Sequence, residues 1–237
     1  MINLGDLALT EGRPNVAVSF TDADGKDEVA RARAAGVTIA ELRIDLFARF
    51  SADYVEAQVR RLAGLPTIGT IRYTAEGGGW TASEPERLAL YKHILPLVDG
   101  VDVEFSATTI LSDVATLAKA QGKVLIVSHH DFVGTPDYDA LARTAQRAAT
   151  AGADIVKIAA HVRDDRDIET LGRLLTDRPA PNLVVIGMGE SGAPTRVLFP
   201  GQGSLFTFAA KGDRTTAPGQ LDYLTTLKLL RSLYPAS

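Results

Sequence analysis

Lys157 stands in the middle of an apolar run, Ala153 to Ala159, ADIVKIA. An ammonium is costly to bury, and the usual remedy is a lowered pKa, which leaves a nucleophilic amine able to form a Schiff base with a carbonyl substrate. The plain alternative is a lysine whose stem lines a rim while its charge reaches water. About one element earlier, KVLIVSHHDF (Lys123 to Phe132) runs as a buried strand straight into Ser128, His129, His130 and Asp131. Side chains alternate along a strand, so Ser128 and His130 share one face and His129 takes the other. Only one of the two histidines can face a given site. A histidine such as His130, taken alone, is more often a satisfied structural residue than a catalyst. Its pairing with Lys157 is what points to chemistry.

More charges gather where other apolar runs end: Glu41, Arg43 and Asp45; Arg72, followed by Glu76 and Gly77 to Gly79; then Asp102, Glu104 and Ser106. Buried charges need partners, so a polar layer of mutually satisfied ion pairs would account for any one of them. Metal chemistry is disfavoured, because the four histidines are scattered and adjacent His129 and His130 point apart. The net charge of -4 and pI near 5.6 leave no basic surface for nucleic acid, so an anionic small molecule would be held by local arginines. The absence of cysteine excludes disulfides and thiolate metal sites and fits a reducing compartment. With no membrane-length apolar stretch and no signal-like N-terminus, the expected location is the cytoplasm.

The elements that must carry these groups are legible. Runs rich in Val and Ile recur at Asn15 to Phe20, Thr38 to Asp45, Thr67 to Arg72, Val101 to Ser106, Lys123 to His130, Ala153 to Ala159, Asn182 to Met188 and Ser204 to Ala209. Helical patterns separate most of them: Ser83 and Glu86 make a capping box, Ser51 opens a helix that Gly64 is placed to stop, and a last helix is expected from about Gln220 to Leu233 with Leu221, Leu224, Leu227 and Leu230 inward. Eight strands alternating with helices over 237 residues predict an α/β fold, a (β/α)8 TIM barrel forming a single domain over residues 1–237. An open doubly wound sheet would call for a glycine-rich fingerprint after the first strand, and Ser19-Phe-Thr-Asp-Ala-Asp-Gly25 is not one. The first twelve residues are candidates to cover the barrel floor.

Five stretches carry a resemblance. Glu41-Leu-Arg43-Ile-Asp45, Thr70-Ile-Arg72 with Glu76-Gly77-Gly78, Ser128-His-His130-Asp131-Phe132, Asp154-Ile-Val-Lys157-Ile-Ala and Thr216-Ala-Pro218-Gly219-Gln220 resemble, in order, the signature of type I 3-dehydroquinate dehydratases. The resemblance implies a (β/α)8 barrel that dehydrates 3-dehydroquinate to 3-dehydroshikimate in the shikimate pathway, without metal or cofactor, as a homodimer. It makes Lys157 the Schiff-base lysine, His130 the general acid and base, and Glu76 the carboxylate that orients His130 and favours its charged form. Arg43, Arg72 and Arg196, with Glu41, Ser19, Thr216 and Gln220, would bind the substrate's hydroxyls and carboxylate. Two departures stand out: Ile186 and Met188 replace a usual methionine pair, and Thr216 replaces a serine while keeping the hydroxyl. Two other readings remain open here. One is a class I Schiff-base aldolase on the same barrel, to which Gly201-Gln-Gly203-Ser204 lends some support as a phosphate loop. The other is a non-enzymatic barrel that binds an anionic metabolite.

Overall fold

Alternation along each strand divides the apolar residues into two sets, and the architecture follows from burying both. The structure, a computed structural model, describes residues 1–212 and 214–235. An antiparallel hairpin comes first, β1 (Ile2–Leu4) and β2 (Leu7–Leu9). Eight parallel strands then alternate with helices: β3 (Val16–Phe20), α1 (Lys26–Ala35), β4 (Ile39–Arg43), α2 (Ala52–Arg61), β5 (Thr67–Thr70), α3 (Glu84–Ile94), β6 (Gly100–Glu104), α4 (Leu111–Ala120), β7 (Val124–Asp131), α5 (Tyr138–Thr150), β8 (Ile155–His161), α6 (Asp165–Asp177), β9 (Leu183–Met188), α7 (Thr195–Gly201), β10 (Thr207–Ala209) and α8 (Tyr223–Leu233). The ladder order β10-β3-β4-β5-β6-β7-β8-β9 makes a nearly closed barrel, and at the β9–β10 seam Leu205 N–H donates to Leu183 O at 2.9 Å. This is the expected (β/α)8 barrel.

The outward set, including Val18, Leu42, Val103, Val127, Ile158 and Val185, packs under the helices. The inward set, including Ile39, Ile68, Ile126, Ile155, Val184 and Phe206, fills the barrel's lower half together with Leu4 and Leu9 of the hairpin. The hairpin therefore plugs the floor. Higher up, the inward positions change character: Ile39 gives way to Glu41 and Arg43, Ile68 to Thr70 and Arg72, Ile126 to Ser128 and His130, and Ile155 to Lys157. An apolar base thus supports a charged upper layer at the carboxyl ends of the strands, where sites are built on this fold.

Local expectations fare unevenly. The capping box holds, with Ser83 N–H donating to Glu86 at 3.0 Å and Glu86 N–H to Ser83 Oγ at 3.4 Å. Gly64 does not cap α2, which ends at Arg61. The last helix starts only at Tyr223, because Asp222 accepts from Leu224 N–H and caps it there. It buries Thr226, Leu227 and Leu230, while Leu224, about 120° round the helix from Leu230, is exposed. Asp45 lies beyond the end of β4, in a short 3-10 turn, and meets Arg43 through the guanidinium fork rather than by strand alternation.

The floor plug gives a stability prediction. Leu9→Ala removes a side chain that is 1% exposed, and should destabilise the barrel by about 2–5 kcal/mol in urea unfolding. The folded fraction should keep its turnover, since the hairpin lies at the opposite end from the charged layer. A loss below about 1 kcal/mol would mean that the hairpin is not part of the core.

Candidate active site

Asp102, on β6 and 1% exposed, is the hub of the charged layer. Its Oδ2 accepts from Lys157 Nζ at 3.0 Å, and its Oδ1 from Arg72 Nη2 at 2.8 Å and Ser128 Oγ at 2.6 Å. The register that pairs Ser128 with both Glu104 and Lys157 draws these strands into one band. Burial alone would push the Asp102 carboxyl up, but Arg72 and then Lys157 outweigh it and hold the group well below the usual carboxylate range. Lys157 is thus not isolated in an apolar wall, as its local sequence suggested. Its Nζ has Asp102 on one side and the ring of Phe208 on the other, 4.3 Å from the centroid.

His130 faces the same cavity as Lys157, and His129 is absent from the cavity's lining. Glu76 reaches His130 from the short 3-10 turn Thr74–Glu76 after β5. Its Oε2 lies 2.9 Å from His130 Nδ1 and accepts the His130 backbone N–H at 3.0 Å, and Ser106 Oγ donates to its Oε1. An ionised carboxylate only accepts, so Nδ1 carries the proton and Nε2 is left as the base. The turn requires glycine: a Cβ on Gly78 would collide with the Arg72 carbonyl, and Gly79 N–H donates to Asp45 at 2.9 Å. The charge balance differs from the expectation that Glu76 favours imidazolium. Burial, then the charges of Arg72 and Lys157, hold His130 well below its ordinary value, with Asp102 opposing, while burial pushes Glu76 up. Glu76 orients a neutral imidazole.

The arginines have different partners. Arg43 donates twice to Asp45, at 2.9 and 2.7 Å, and Arg72 is shared by Asp102 and Glu104. Arg196, 2% exposed, meets only backbone oxygens: Gly219 O at 3.0 Å, Pro218 O at 2.9 Å and Phe208 O at 3.2 Å. Among the described residues no carboxylate pairs with it, and burial pushes its guanidinium down to about 10. Two of those carbonyls belong to the segment after β10, where Thr216 N–H donates to Gln220 Oε1 at 2.8 Å, and the third, of Phe208, belongs to β10 itself. Gly219 sits against the Gly189 backbone with φ 74°, leaving no room for a side chain. Glu41 accepts from Ser19 Oγ at 2.5 Å and Thr70 Oγ1 at 3.0 Å, and Ser19 Oγ lies 3.1 Å from Thr216 Oγ1.

The cavity, about 480 Å³ with its open mouth, is lined by Lys157, His130, Glu76, Glu41, Arg43, Arg72, Arg196, Thr216 and Gln220, with apolar walls from Ile186, Met188 and Phe208. Ser19 stands behind Glu41 and Thr216 and is not part of the lining. Sequence reasoning gave no role to Asp102, although it marked the residue as a strand-end charge. Phe208 on β10 escaped notice too, and its signal was the alternation with Phe206 just before that strand. Gly201 to Ser204 precedes β10, so it lies at the floor end, where Ser204 Oγ accepts from Val185 N–H at 3.1 Å. A loop at that end cannot hold a phosphate at the mouth, which removes the support for an aldolase. Among the described residues no three His, Asp or Glu converge as a metal site would require, and no helix is long and apolar enough to cross a membrane.

Comparisons with known proteins place this geometry. A model of the type I 3-dehydroquinase family matches residues 16–237. A 3-dehydroquinate dehydratase of Methanosarcina barkeri is 37% identical over 244 residues, covering 98% of this chain and 100% of the relative. One from Methanococcoides burtonii is 33% identical over 225 residues, covering 93% and 94%. The crystal structure of the 3-dehydroquinate dehydratase from Aquifex aeolicus superposes with a TM-score of 0.83 at 29% identity, covering 94% of this chain and 100% of that one. The type I enzyme from Clostridium difficile, solved with covalently modified comenic acid, gives 0.89 at 25% identity, covering 98% and 97%. The chain belongs to the type I 3-dehydroquinase family.

Proposed function

We propose that this barrel dehydrates 3-dehydroquinate to 3-dehydroshikimate through an imine on Lys157, with His130 as general base and then general acid. The observation that carries the reading is one cavity lined by both Lys157 and His130, each tied to its own buried carboxylate. The Lys157 amine attacks the substrate ketone, and the carbinolamine, taking up one proton from solvent, loses water to give the iminium. That cation is an electron sink, so neutral His130 Nε2 can take a proton from the adjacent carbon and leave an enamine. The enamine expels the hydroxyl one carbon further on, which leaves as water with the proton from His130, and hydrolysis of the imine frees the conjugated enone and the amine. A covalently modified acid in the Clostridium difficile relative supports covalent chemistry here.

Arg196 takes the substrate carboxylate in this reading. Arg43 and Arg72, already paired with Asp45 and with Asp102 and Glu104, serve the hydroxyls together with Glu41, Thr216 and Gln220, and Ser19 holds Glu41 and Thr216 in place. Residues 1–237 act as one catalytic domain that needs no metal or cofactor, in the cytoplasm and as a homodimer, on the strength of the family resemblance and the cysteine-free composition.

Borohydride reduces an imine to a stable amine, so treating the protein with it and 3-dehydroquinate should inactivate it and add the ligand's mass to the peptide containing Lys157. Lys123 and Lys211 should stay unmodified. Lys157→Ala should not trap, His130→Ala should trap without turning over, and His129→Ala should keep most activity. Trapping at another lysine, or turnover without trapping, rules the mechanism out.

Arg196→Lys keeps a charge but loses the planar fork, so kcat/KM should fall by about 2 kcal/mol, chiefly through KM. Unchanged kinetics would assign the carboxylate to Arg43 or Arg72.

The pH profile carries a sign. Because His130 titrates below its ordinary value of 6.5, the free enzyme holds it neutral down to lower pH, and the acid limb of kcat/KM due to it should lie below pH 6.5. A limb above that value would mean that Glu76 dominates and that the imidazolium is the resting form.

A further inference from the structure

A chain of buried charge leaves the cavity through the barrel wall, and its far end lies on a helix that does not touch the pocket. β5 leaves the ladder after Thr70, so the backbone groups on either side of Arg72 must find partners elsewhere. Arg87, on α3 and 1% exposed, donates through Nη1 to Ile71 O at 3.0 Å and to Glu104 Oε2 at 2.7 Å. Glu104 accepts the Tyr73 N–H at 2.8 Å on its other oxygen, which also lies 3.1 Å from Arg72 Nη1. The two side chains thus grip the carbonyl before Arg72, the amide after it and the Arg72 guanidinium itself. Tyr91, one turn further along α3, donates to Asp102 O at 2.7 Å and ties the same helix to the strand that carries the hub.

From outside to inside the order is Glu84, Arg87, Glu104, Arg72, Asp102, Lys157, alternating in sign throughout. Stability does not explain Arg87 well. Buried ion pairs are often no better than apolar replacements, and among the described residues Arg87 Nε has no hydrogen-bond partner. What the arrangement does fix is which carboxylate Arg72 serves. With Arg87 absent, Glu104 would keep a buried negative charge facing only Arg72, and the guanidinium would be drawn away from Asp102.

We infer that Arg87 is a positioning residue for the lysine chemistry: with Glu104 it clamps the chain around Arg72, and so fixes the Asp102 carboxylate that holds Lys157 Nζ in the cavity. The inference rests on the proposed Lys157 imine, so borohydride trapping of the parent protein comes first and tests that reading separately.

The test uses Arg87→Lys, which keeps the charge but cannot reach Ile71 O, Glu104 and Glu84 together, and Glu104→Gln, which keeps the shape. In each, kcat on 3-dehydroquinate should fall about tenfold or more while KM stays within about twofold, because a displaced nucleophile slows chemistry without weakening the distant carboxylate contact. The rate of trapping at Lys157 should fall in the same proportion. Combining the two substitutions should cost no more than the worse single one, since both cut one link. A merely structural Arg87 predicts otherwise: a lower melting temperature with kcat per trappable site within about twofold of the parent, and that result overturns the proposal. So do losses that multiply in the double variant, or a loss in Glu104→Gln without one in Arg87→Lys.

Discussion

One buried carboxylate governs the upper half of this barrel. Asp102 accepts from a lysine, an arginine and a serine at once, with Lys157 on β8, Ser128 on β7 and Arg72 just past the end of β5. Without that negative charge, Arg72 and Lys157 would confront each other in the interior, where an unpaired ion costs several kcal/mol. With it, three strand ends are bound into one rigid layer. The same two cations, with burial, hold His130 well below its ordinary value while Asp102 opposes them, so the hub fixes the place of Lys157 and tempers the field at the histidine.

The three pocket arginines show how partners divide labour. Arg43 and Arg72 are occupied by carboxylates of the protein, so their geometry is fixed before any ligand arrives. Arg196 is supported by carbonyl dipoles alone, which direct its N–H groups without cancelling its charge. Under the proposed role of Arg196, an anion would meet a cation already desolvated and held in place, so little reorganisation would accompany binding. Gly219 belongs to the same device, because the segment supplying two of those carbonyls can lie against the Gly189 backbone, just past β9, only where residue 219 has no side chain.

Much of this was legible in the sequence because period-two alternation on a parallel barrel is a strict rule. It separates His130 from His129 and puts Glu41 with Arg43. It said less where strands end. Asp45 pairs with Arg43 from a turn, and Glu76 reaches His130 across residues far apart in the chain. The environment of Lys157 was misjudged for a related reason: its neighbours in sequence are apolar, but its neighbours across the sheet are Asp102 and Phe208. The relation between Glu76 and His130 was right in geometry and wrong in sign, since desolvation and two remote cations outweigh one adjacent carboxylate, and sequence gives no measure of burial. Leu224 shows a related limit on a helix, where a series spaced three residues apart drifts round the axis, so that Leu227 and Leu230 are buried and Leu224 is not.

The hairpin at the base has a consequence for traffic. With Leu4 and Leu9 packed in one buried cluster with Ile39, Ile68, Ile126 and Ile155, the interior below Lys157 is filled by apolar side chains, and the cavity is closed at its base. Everything a catalytic cycle handles, the ring compound on the way in and each water set free, must pass the same doorway. A molecule seated on Lys157 corks its own exit route for water below it, so water shed at depth can depart only alongside the occupant, and a finished molecule that lingers shuts out its successor.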